Sequence, residues 1–158
     1  MKKIKLFGKN DKYALVDDED FEELNKYNWY FTKSGYAERT PRKEKKREKI
    51  WMHRLVNKTL DGVHTDHINR NKLDNRKCNL RSCTKRENLL NRDKYKNCLS
   101  KYKGVTITYS NIFPFMSQIS SNNKTIYLGR FKTELEAAIA YNEAAKKYHL
   151  NFACLNKI

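Results

Sequence analysis

A polar segment between Asp66 and Asn88 places the tightest limit on what this chain can fold into. It reads D-H-I-N-R-N-K-L-D-N-R-K-C-N-L-R-S-C-T-K-R-E-N. The letters V-H-T-D-H-I form a strand pattern at its start, and C-N-L-R-S-C has the length of a second short strand. Thr84, followed three residues later by Glu87, is typical of the capping box that opens a helix. The segment therefore predicts a strand, a polar loop, a strand and a helix.

The charge of the chain favours an extended polyanion as its partner. The formal net charge is +16, and residues 1–50, 51–92 and 93–158 carry +4, +6 and +6. Because the basic excess runs along the whole chain, a nucleic acid is favoured over a local acidic partner. A membrane partner is not expected, since the sequence has no apolar run of membrane length and no basic amphipathic helix. No signal-peptide pattern follows Met1, so we expect a cytoplasmic protein of a bacterium or a phage-infected cell.

The four cysteines, at positions 78, 83, 98 and 154, form no C-x2-C pair. A zinc site would require distant residues to converge. The alternative is four reduced thiols, some of them buried, in a reducing compartment. We favour the reduced thiols, so structural zinc is not expected.

Changes in periodicity predict an α+β protein with three parts and a linker. Residues 1–49 are expected to form a small α/β preface with short strands, an acidic helix and a hairpin around Ser34 and Gly35. Residues 50–92 form the central module, which opens with a helix over 50–60. Residues 93–100 lack periodicity and are the expected linker. Residues 101–158 show three strand patterns and then a helix capped by Thr133, which predicts a three-stranded sheet packed on one helix.

Four side chains of the central module can form a metal-dependent phosphodiesterase site. Asp66 and His67 lie near the end of the first strand, Asn79 lies on the second strand, and Asn88 lies early in the helix. A hard divalent ion such as Mg2+ takes one or two protein oxygens and keeps several waters, which suits Asp66 and Asn88. His67 could accept a proton from the attacking water, and Asn79 could hold its ring by a hydrogen bond. The bland alternative is a chance D-H pair with an asparagine that caps a turn.

The central module resembles the HNH endonuclease family and its ββα-metal fold. The resemblance rests on M-H-R-L-V, D-G-V-H-T-D-H-I-N-R-N-K-L-D-N-R-K-C-N-L-R-S-C and T-K-R-E-N-L-L-N-R, over residues 50–92. It is closest to the phage and intron-encoded branch, which includes homing and nicking enzymes. The resemblance implies that His67 is the general base, that Asp66 and Asn88 bind Mg2+ or Mn2+, and that Asn79 orients the site. The third family position is often histidine and here is Asn88, which disfavours zinc.

Basic residues around this site are candidate contacts to the DNA backbone, although solvated surface charge is the alternative for some of them. They are Arg70, Lys72, Arg76 and Arg81. The basic segment 40–49, T-P-R-K-E-K-K-R-E-K, is either a solvated loop or a further phosphate contact. His53 either packs or hydrogen-bonds within the module or contacts a substrate phosphate. His64 is expected to have no catalytic role.

The C-terminal part resembles the APETALA/ethylene-response-factor family of DNA-binding domains. The residues that carry this resemblance are K-Y-K-G-V, F-M-S-Q-I and K-T-I-Y-L-G-R-F-K-T-E-L-E-A-A, over 101–156. That family lays its sheet in the DNA major groove. Strand alternation then directs one set of side chains toward DNA. This set comprises Thr106, Thr108, Met116, Gln118, Ser120, Thr125 and Tyr127, and we expect backbone contacts from Lys103 and Lys124.

Two hypotheses about function remain from the sequence. The first is a metal-dependent HNH endonuclease of double-stranded DNA, homing-type or nicking, whose C-terminal module binds DNA. One site per chain favours a monomer that nicks one strand, whereas double-strand cleavage would need a weak dimer or two successive nicks. The second is a non-catalytic DNA-binding regulator with a decayed nuclease module. The presence of all four site residues argues against decay.

Overall fold

The computed structural model describes residues 1–8, 11–41, 48–94 and 98–158. They form two compact units, Met1–Asn88 and Leu89–Ile158. The predicted α+β class is confirmed, with three sheets and four α-helices in the described ranges. Most of the basic segment 40–49 and part of the expected linker 93–100 lie outside the described residues. Within those ranges no helix combines the length and the apolar character that a bilayer span requires.

The first unit is built around a five-stranded sheet in the order β2-β1-β3-β4-β5. Its elements are β1 (Lys2–Phe7), β2 (Lys12–Val16), α1 (Asp18–Leu24), β3 (Trp29–Phe31), β4 (Ala37–Arg39) and β5 (Ile50–Trp51). β1 and β3 are parallel, and the other pairs are antiparallel. Alternation buries one face, and residues such as Leu6, Val16 and Trp29 form the core with Met52 and Leu80. The preface and the central module therefore share one hydrophobic core.

The central module follows as α2 (Met52–Val56), β6 (His64–His67), β7 (Leu80–Cys83) and α3 (Lys85–Leu90). The helix predicted over 50–60 was wrong in its bounds, because Ile50 and Trp51 instead pair with β4 and complete the sheet. The capping box of Thr84 and Glu87 is confirmed, since each side chain bonds the backbone N–H of the other. Asn79 lies in a 3-10 turn, Lys77–Asn79, just before the second strand, so its predicted place on the strand was wrong.

An edge of the five-stranded sheet holds the polar loop between β6 and β7. The backbone N–H of Leu15 in β2 donates to Leu73 O at 2.8 Å, and Leu15 O accepts from the N–H of Asn75 at 2.8 Å. The Asp17 carboxylate accepts from the N–H of Lys77 at 2.8 Å. These bonds hold the loop against β2 from Leu73 to Lys77. They therefore fix the positions of the side chains in this part of the loop.

The second unit has the predicted order of three strands and one helix. It comprises β8 (Val105–Ile107), β9 (Phe115–Ser121), β10 (Lys124–Phe131) and α4 (Glu134–His149), with the strand order β10-β9-β8. Thr133 and Glu136 complete the predicted capping box of α4. Ile119 of the sheet packs against Tyr141 and Ala145 of the helix, so one sheet face is buried.

A β-bulge in β10 interrupts the alternation of its side chains. Tyr127 pairs with Gln118, whereas Gly129, two residues on, pairs with Ser117. The backbone of Gly129 has φ +131°, a conformation that residues with a Cβ rarely adopt. The extra residue reverses the direction of the side chains that follow it. Phe131 therefore points toward the helix, and Arg130 points to the opposite face of the sheet.

Candidate active site

β6 ends with Asp66 and His67, and its pairing with β7 fixes both residues. Asp66 pairs with Arg81 and His67 pairs with Leu80 in the antiparallel ladder. Asp66 is 5% exposed and His67 is 4% exposed. A buried carboxylate beside a buried imidazole requires partners for both, because an unsatisfied polar group in the interior is costly.

Asn75 holds the ring of His67. The distance between His67 Nε2 and Asn75 Oδ1 is 3.1 Å, and Asn75 Nδ2 donates to Met52 Sδ at 3.3 Å. An amide oxygen only accepts hydrogen bonds, so His67 Nε2 carries the proton and Nδ1 is the basic nitrogen. Asn75 was not among the sequence candidates, although it lies in the polar loop between the two strands.

Asn79 acts on the loop around His67. Its Oδ1 accepts from the backbone N–H of Asn69 at 2.9 Å, and its Nδ2 donates to Asp74 O at 2.8 Å. The N–H of Ile68 also donates to Asn79 O at 2.9 Å. The side chain therefore closes the loop across its base. The orienting role of Asn79 stays a prediction. Its contacts are with the backbone of Ile68 and Asn69, directly after His67, so it would orient His67 through that backbone.

Two rings of the first unit lie near the ring of His67. The ring centroid of Tyr36 lies 6.0 Å from that of His67, and that of His53 lies 5.2 Å away. Tyr36 and His53 are 4.9 Å apart, and the ring of Trp51 stands edge-on to Tyr36 at 5.6 Å. Sequence reasoning missed Tyr36 and Trp51, because only the fold brings Tyr36 near His67 and Trp51 against Tyr36.

His53 is buried and neutral in this cluster. Burial, with the nearby His67 and Arg54, lowers the pKa of His53 to about 3. Its Nδ1 is buried without a hydrogen-bond partner among the described residues. Burial also lowers the pKa of His67, although Asn75 and the charge of Asp66 oppose this shift. Both rings therefore favour the neutral form, which is the form that a general base needs.

We expect the buried His53 to make folding sensitive to acid. Its folded pKa is below the ordinary 6.5, so below pH 6.5 the unfolded chain binds a proton that the folded chain does not. Stability should therefore be fully present above pH 6.5 and should fall between pH 6.5 and about 3. Thermal unfolding of the wild type and of His53→Gln, which cannot titrate, measures this. Tm curves of equal slope in that window would contradict the expectation.

The predicted metal ligands are the carboxylate of Asp66 on β6 and the carboxamide of Asn88 on α3. Asp66 Oδ2 accepts from Arg81 Nε at 2.8 Å and from Arg81 Nη2 at 2.6 Å. Asn88 is the fourth residue of α3 and is half-buried, and its side chain makes no hydrogen bond within the described ranges. Those ranges contain no group of three or more His, Cys, Asp or Glu side chains suited to a metal. An Mg2+ or Mn2+ ion prefers oxygen donors and keeps most of its waters, and its binding by Asp66 and Asn88 stays a prediction.

Two comparisons with known proteins bear on this arrangement. Residues 59–90, which contain β6, the loop, β7 and α3, match the family model described as HNH endonuclease. An uncharacterized HNH endonuclease from Acanthamoeba polyphaga mimivirus is 31% identical over 152 residues, which cover 92% of this chain and 75% of that relative. The chain belongs to the HNH endonuclease family. Neither match names an APETALA-type domain, so that resemblance of the C-terminal unit stays a prediction.

The basic residues around the HNH site differ in how far they are engaged. Arg76 makes two bonds of 2.7 Å to the buried carboxylate of Asp74, and Arg81 is bound to Asp66. Lys72 donates to Ser34 O at 2.9 Å and lies 4.5 Å from the ring centroid of Tyr36. Arg70 is half-buried in the loop with φ +64°. Lys72 is thus placed beside the cluster around His67, whereas Arg76 and Arg81 already stabilise carboxylates. Their predicted DNA contacts stay predictions.

The remaining histidines and the four cysteines are not among the predicted catalytic or metal-binding residues. His64 is exposed on β6, and His149 Nε2 bonds Ser120 O at 2.8 Å in the second unit. No disulfide joins the four cysteines, all of which lie in the described ranges. Cys83 and Cys154 are buried, and burial raises the pKa of the Cys83 thiol to about 11. A thiol with this pKa stays protonated at neutral pH and is a poor metal ligand.

The predicted DNA-facing residues of the second unit largely share the sheet face opposite α4. We call this the outer face, and it comprises Thr106, Met116, Gln118, Ser120, Thr125 and Tyr127, with Arg130 added by the bulge. Thr108 lies just beyond β8 and bonds Pro114 O at 3.2 Å. Lys124 is exposed, whereas Lys103 Nζ donates to Leu90 O at 2.8 Å and Arg92 O at 2.6 Å. The structure therefore gives Lys103 a tethering role within its unit.

Proposed function

We propose that this chain is a metal-dependent HNH endonuclease of double-stranded DNA in which His67 is the general base. The observation that carries the proposal is the buried His67 at the end of β6, next to Asp66, with its Nε2 bound to Asn75. With Nε2 donating to Asn75 Oδ1, Nδ1 is the atom that we propose accepts the proton. A neutral imidazole held in one orientation is suited to general base catalysis.

The reaction is hydrolysis of a phosphodiester. A water molecule attacks phosphorus while His67 Nδ1 takes its proton, and the bond from phosphorus to the 3′ oxygen breaks. Asn75 keeps the ring in place as it becomes positive, because Oδ1 accepts from Nε2–H in both protonation states. Asp66 and Asn88 would hold the ion, and a bound Mg2+ or Mn2+ stabilises negative charge on the leaving oxygen.

Asn75→Ala should reduce nicking by roughly 10- to 100-fold, the range for removing a hydrogen bond that orients a group at a metal site. The reduction should be in kcat, since Asn75 is 1% exposed and does not reach substrate. Asn75→Asp keeps an acceptor for Nε2–H and should retain more activity than the alanine variant. Steady-state kinetics at a temperature where circular dichroism shows all three proteins folded provide the measurement. Equal losses in both variants would contradict the positioning role.

The decisive assay for the whole proposal is nicking of a supercoiled plasmid with and without Mg2+. One active site per chain favours cleavage of one strand by a monomer. A purified protein that binds DNA but leaves the plasmid intact over a range of Mg2+ and Mn2+ concentrations would instead support the non-catalytic regulator. The sequence argues against that alternative, because all four predicted site residues are present. They are Asp66, His67, Asn79 and Asn88.

The C-terminal unit is proposed to bind DNA through its outer face. Exposed Tyr127, Thr125 and Ser120 lie on that face beside the half-buried Gln118 and Met116. Side chains of this kind on a twisted sheet can enter a major groove and contact base edges. Exposed Lys124 at the start of β10 is available to a phosphate.

Truncation after Arg92 tests the division of labour between the units. It leaves α3 and the HNH residues in place and removes most of the second compact unit, including Lys124. We expect residues 1–92 to nick DNA only at higher enzyme concentration, with weaker affinity, broader choice of site and a flatter salt dependence. Mapped cut sites and the slope of log affinity against log salt are compared for the two proteins. An unchanged site and slope would exclude the C-terminal unit as the DNA reader.

A further inference from the structure

The bulge in β10 adds an arginine to the outer face. Arg130 pairs with Met116, and Met116 pairs with Thr106 on its other side. Cross-strand partners project to the same face. Thr106, Met116 and Arg130 therefore form one row across all three strands, next to the row of Gln118 and Tyr127. Simple alternation from Tyr127 would have put Arg130 on the helix side, where Phe131 and Phe115 pack instead.

Arg130 differs from the other arginines whose contacts are known. Arg76 and Arg81 are bound to buried carboxylates, and Arg54 donates to the carbonyls of Leu60 and Val63. The side chain of Arg130 is exposed and makes no hydrogen bond, ion pair or ring contact within the described ranges. It stands on a strand held by antiparallel pairing rather than on a loop. The backbone of Arg130 is therefore held in the sheet, while its guanidinium can bind a ligand.

The neighbours of Arg130 favour a base edge over a phosphate as its ligand. Met116 and Thr106, which complete its row, carry no charge and present methyl groups. Such groups suit the C5-methyl of thymine, whereas a guanidinium suits the O6 and N7 acceptors of guanine. The row therefore offers one guanidinium for a guanine and two methyl groups for a neighbouring thymine.

We infer that Arg130 is a specificity-determining residue that reads a guanine in the major groove of the DNA target. This inference rests on the proposed DNA binding of the C-terminal unit. Gly129 is needed for this placement, because its positive φ permits the bulge that turns Arg130 to the outer face.

The test selects bound sequences from a random duplex library with the full chain, in EDTA so that no DNA is cut. We expect the wild type to enrich guanine at one position. Arg130→Ala should lower that preference by roughly 5- to 150-fold, the range for a good bidentate arginine–guanine pair, and should leave other positions unchanged. Arg130→Lys should keep part of it. Lys132→Ala is the matched control, because it removes one exposed positive charge two residues away and should leave the selected sequence intact.

Tyr127→Ala separates failure of this inference from failure of the proposed function. If Tyr127→Ala alters the selected sequence and Arg130→Ala does not, Arg130 is not a reader but the outer face still binds DNA. A uniform loss of affinity in Arg130→Ala, with the salt slope reduced by about 1, would make it a phosphate contact and overturn the inference. If neither variant changes affinity or sequence, the outer face does not bind DNA and both proposals fail.

Discussion

His67→Ala is expected to lower plasmid nicking by roughly 10^2- to 10^4-fold, the usual effect of losing a general base. DNA affinity should hardly change, because burial favours the neutral ring and it neutralises no phosphate. Supercoiled-plasmid nicking and gel-shift affinity are measured on the same preparation. His64→Ala is the matched control, since His64 lies on the same strand but is exposed.

The activity of His64→Ala shows whether a loss in His67→Ala comes from chemistry or from folding. Both substitutions remove one imidazole from β6, so a shared effect of altered strand stability would appear in both. We expect His64→Ala to nick at nearly the wild-type rate. Full nicking activity in His67→Ala would remove His67 from the mechanism, and an equal loss in the two variants would point to folding.

Asp66→Ala is expected to abolish Mg2+-dependent cleavage, with Asn88→Ala close behind. Only these two protein ligands are proposed, so each holds a large share of the ion. Asn88→Asp keeps an oxygen at the same position and should be rescued by added metal, unlike Asn88→Ala. Activity is measured across a series of Mg2+ and Mn2+ concentrations, and metal binding is followed separately by calorimetry.

The Asp66 experiment needs a second variant, because Asp66 also neutralises Arg81. Removing the carboxylate leaves a largely buried guanidinium without that partner, which can destabilise the unit on its own account. Asp66→Asn keeps the shape and an acceptor, and its thermal unfolding reports how much fold is lost. Asp61→Ala removes an exposed acid from the turn before β6 and serves as the control. An unchanged metal dependence in Asp66→Ala would contradict the ligand assignment.

The parts of the molecule that the sequence predicted are those set by local rules. The strand patterns around His67 and Leu80, and the capping boxes at Thr84 and Thr133, depend on residues a few positions apart. Local spacing also predicted that Asp66 and His67 close one strand. The α+β class follows from these elements, because each short sheet needs a helix or another sheet to cover its apolar face.

The features that the sequence could not predict depend on distant pairing. Asn75 contacts His67 only because β2 holds the loop, and Tyr36 reaches the same ring through the fold of the first sheet. Ile50 and Trp51 were expected in a helix but form a strand, because β4 is available to pair with them. The place of Arg130 depends on a bulge, and one inserted residue reverses every later side chain in a strand.

The pairing of β2 with the polar loop has a consequence for how the nuclease folds. The Asp17 side chain bonds a residue 60 positions further along the chain, and Leu15 reaches equally far to Leu73 and Asn75. Contacts of such long sequence separation form late, because the intervening chain must first lose much of its freedom. The 59–90 segment that matches the family model therefore lacks, when taken alone, the β2 contacts that hold its loop. During synthesis, we expect His67 to reach its final geometry only after β2 of the N-terminal sheet can pair with the loop.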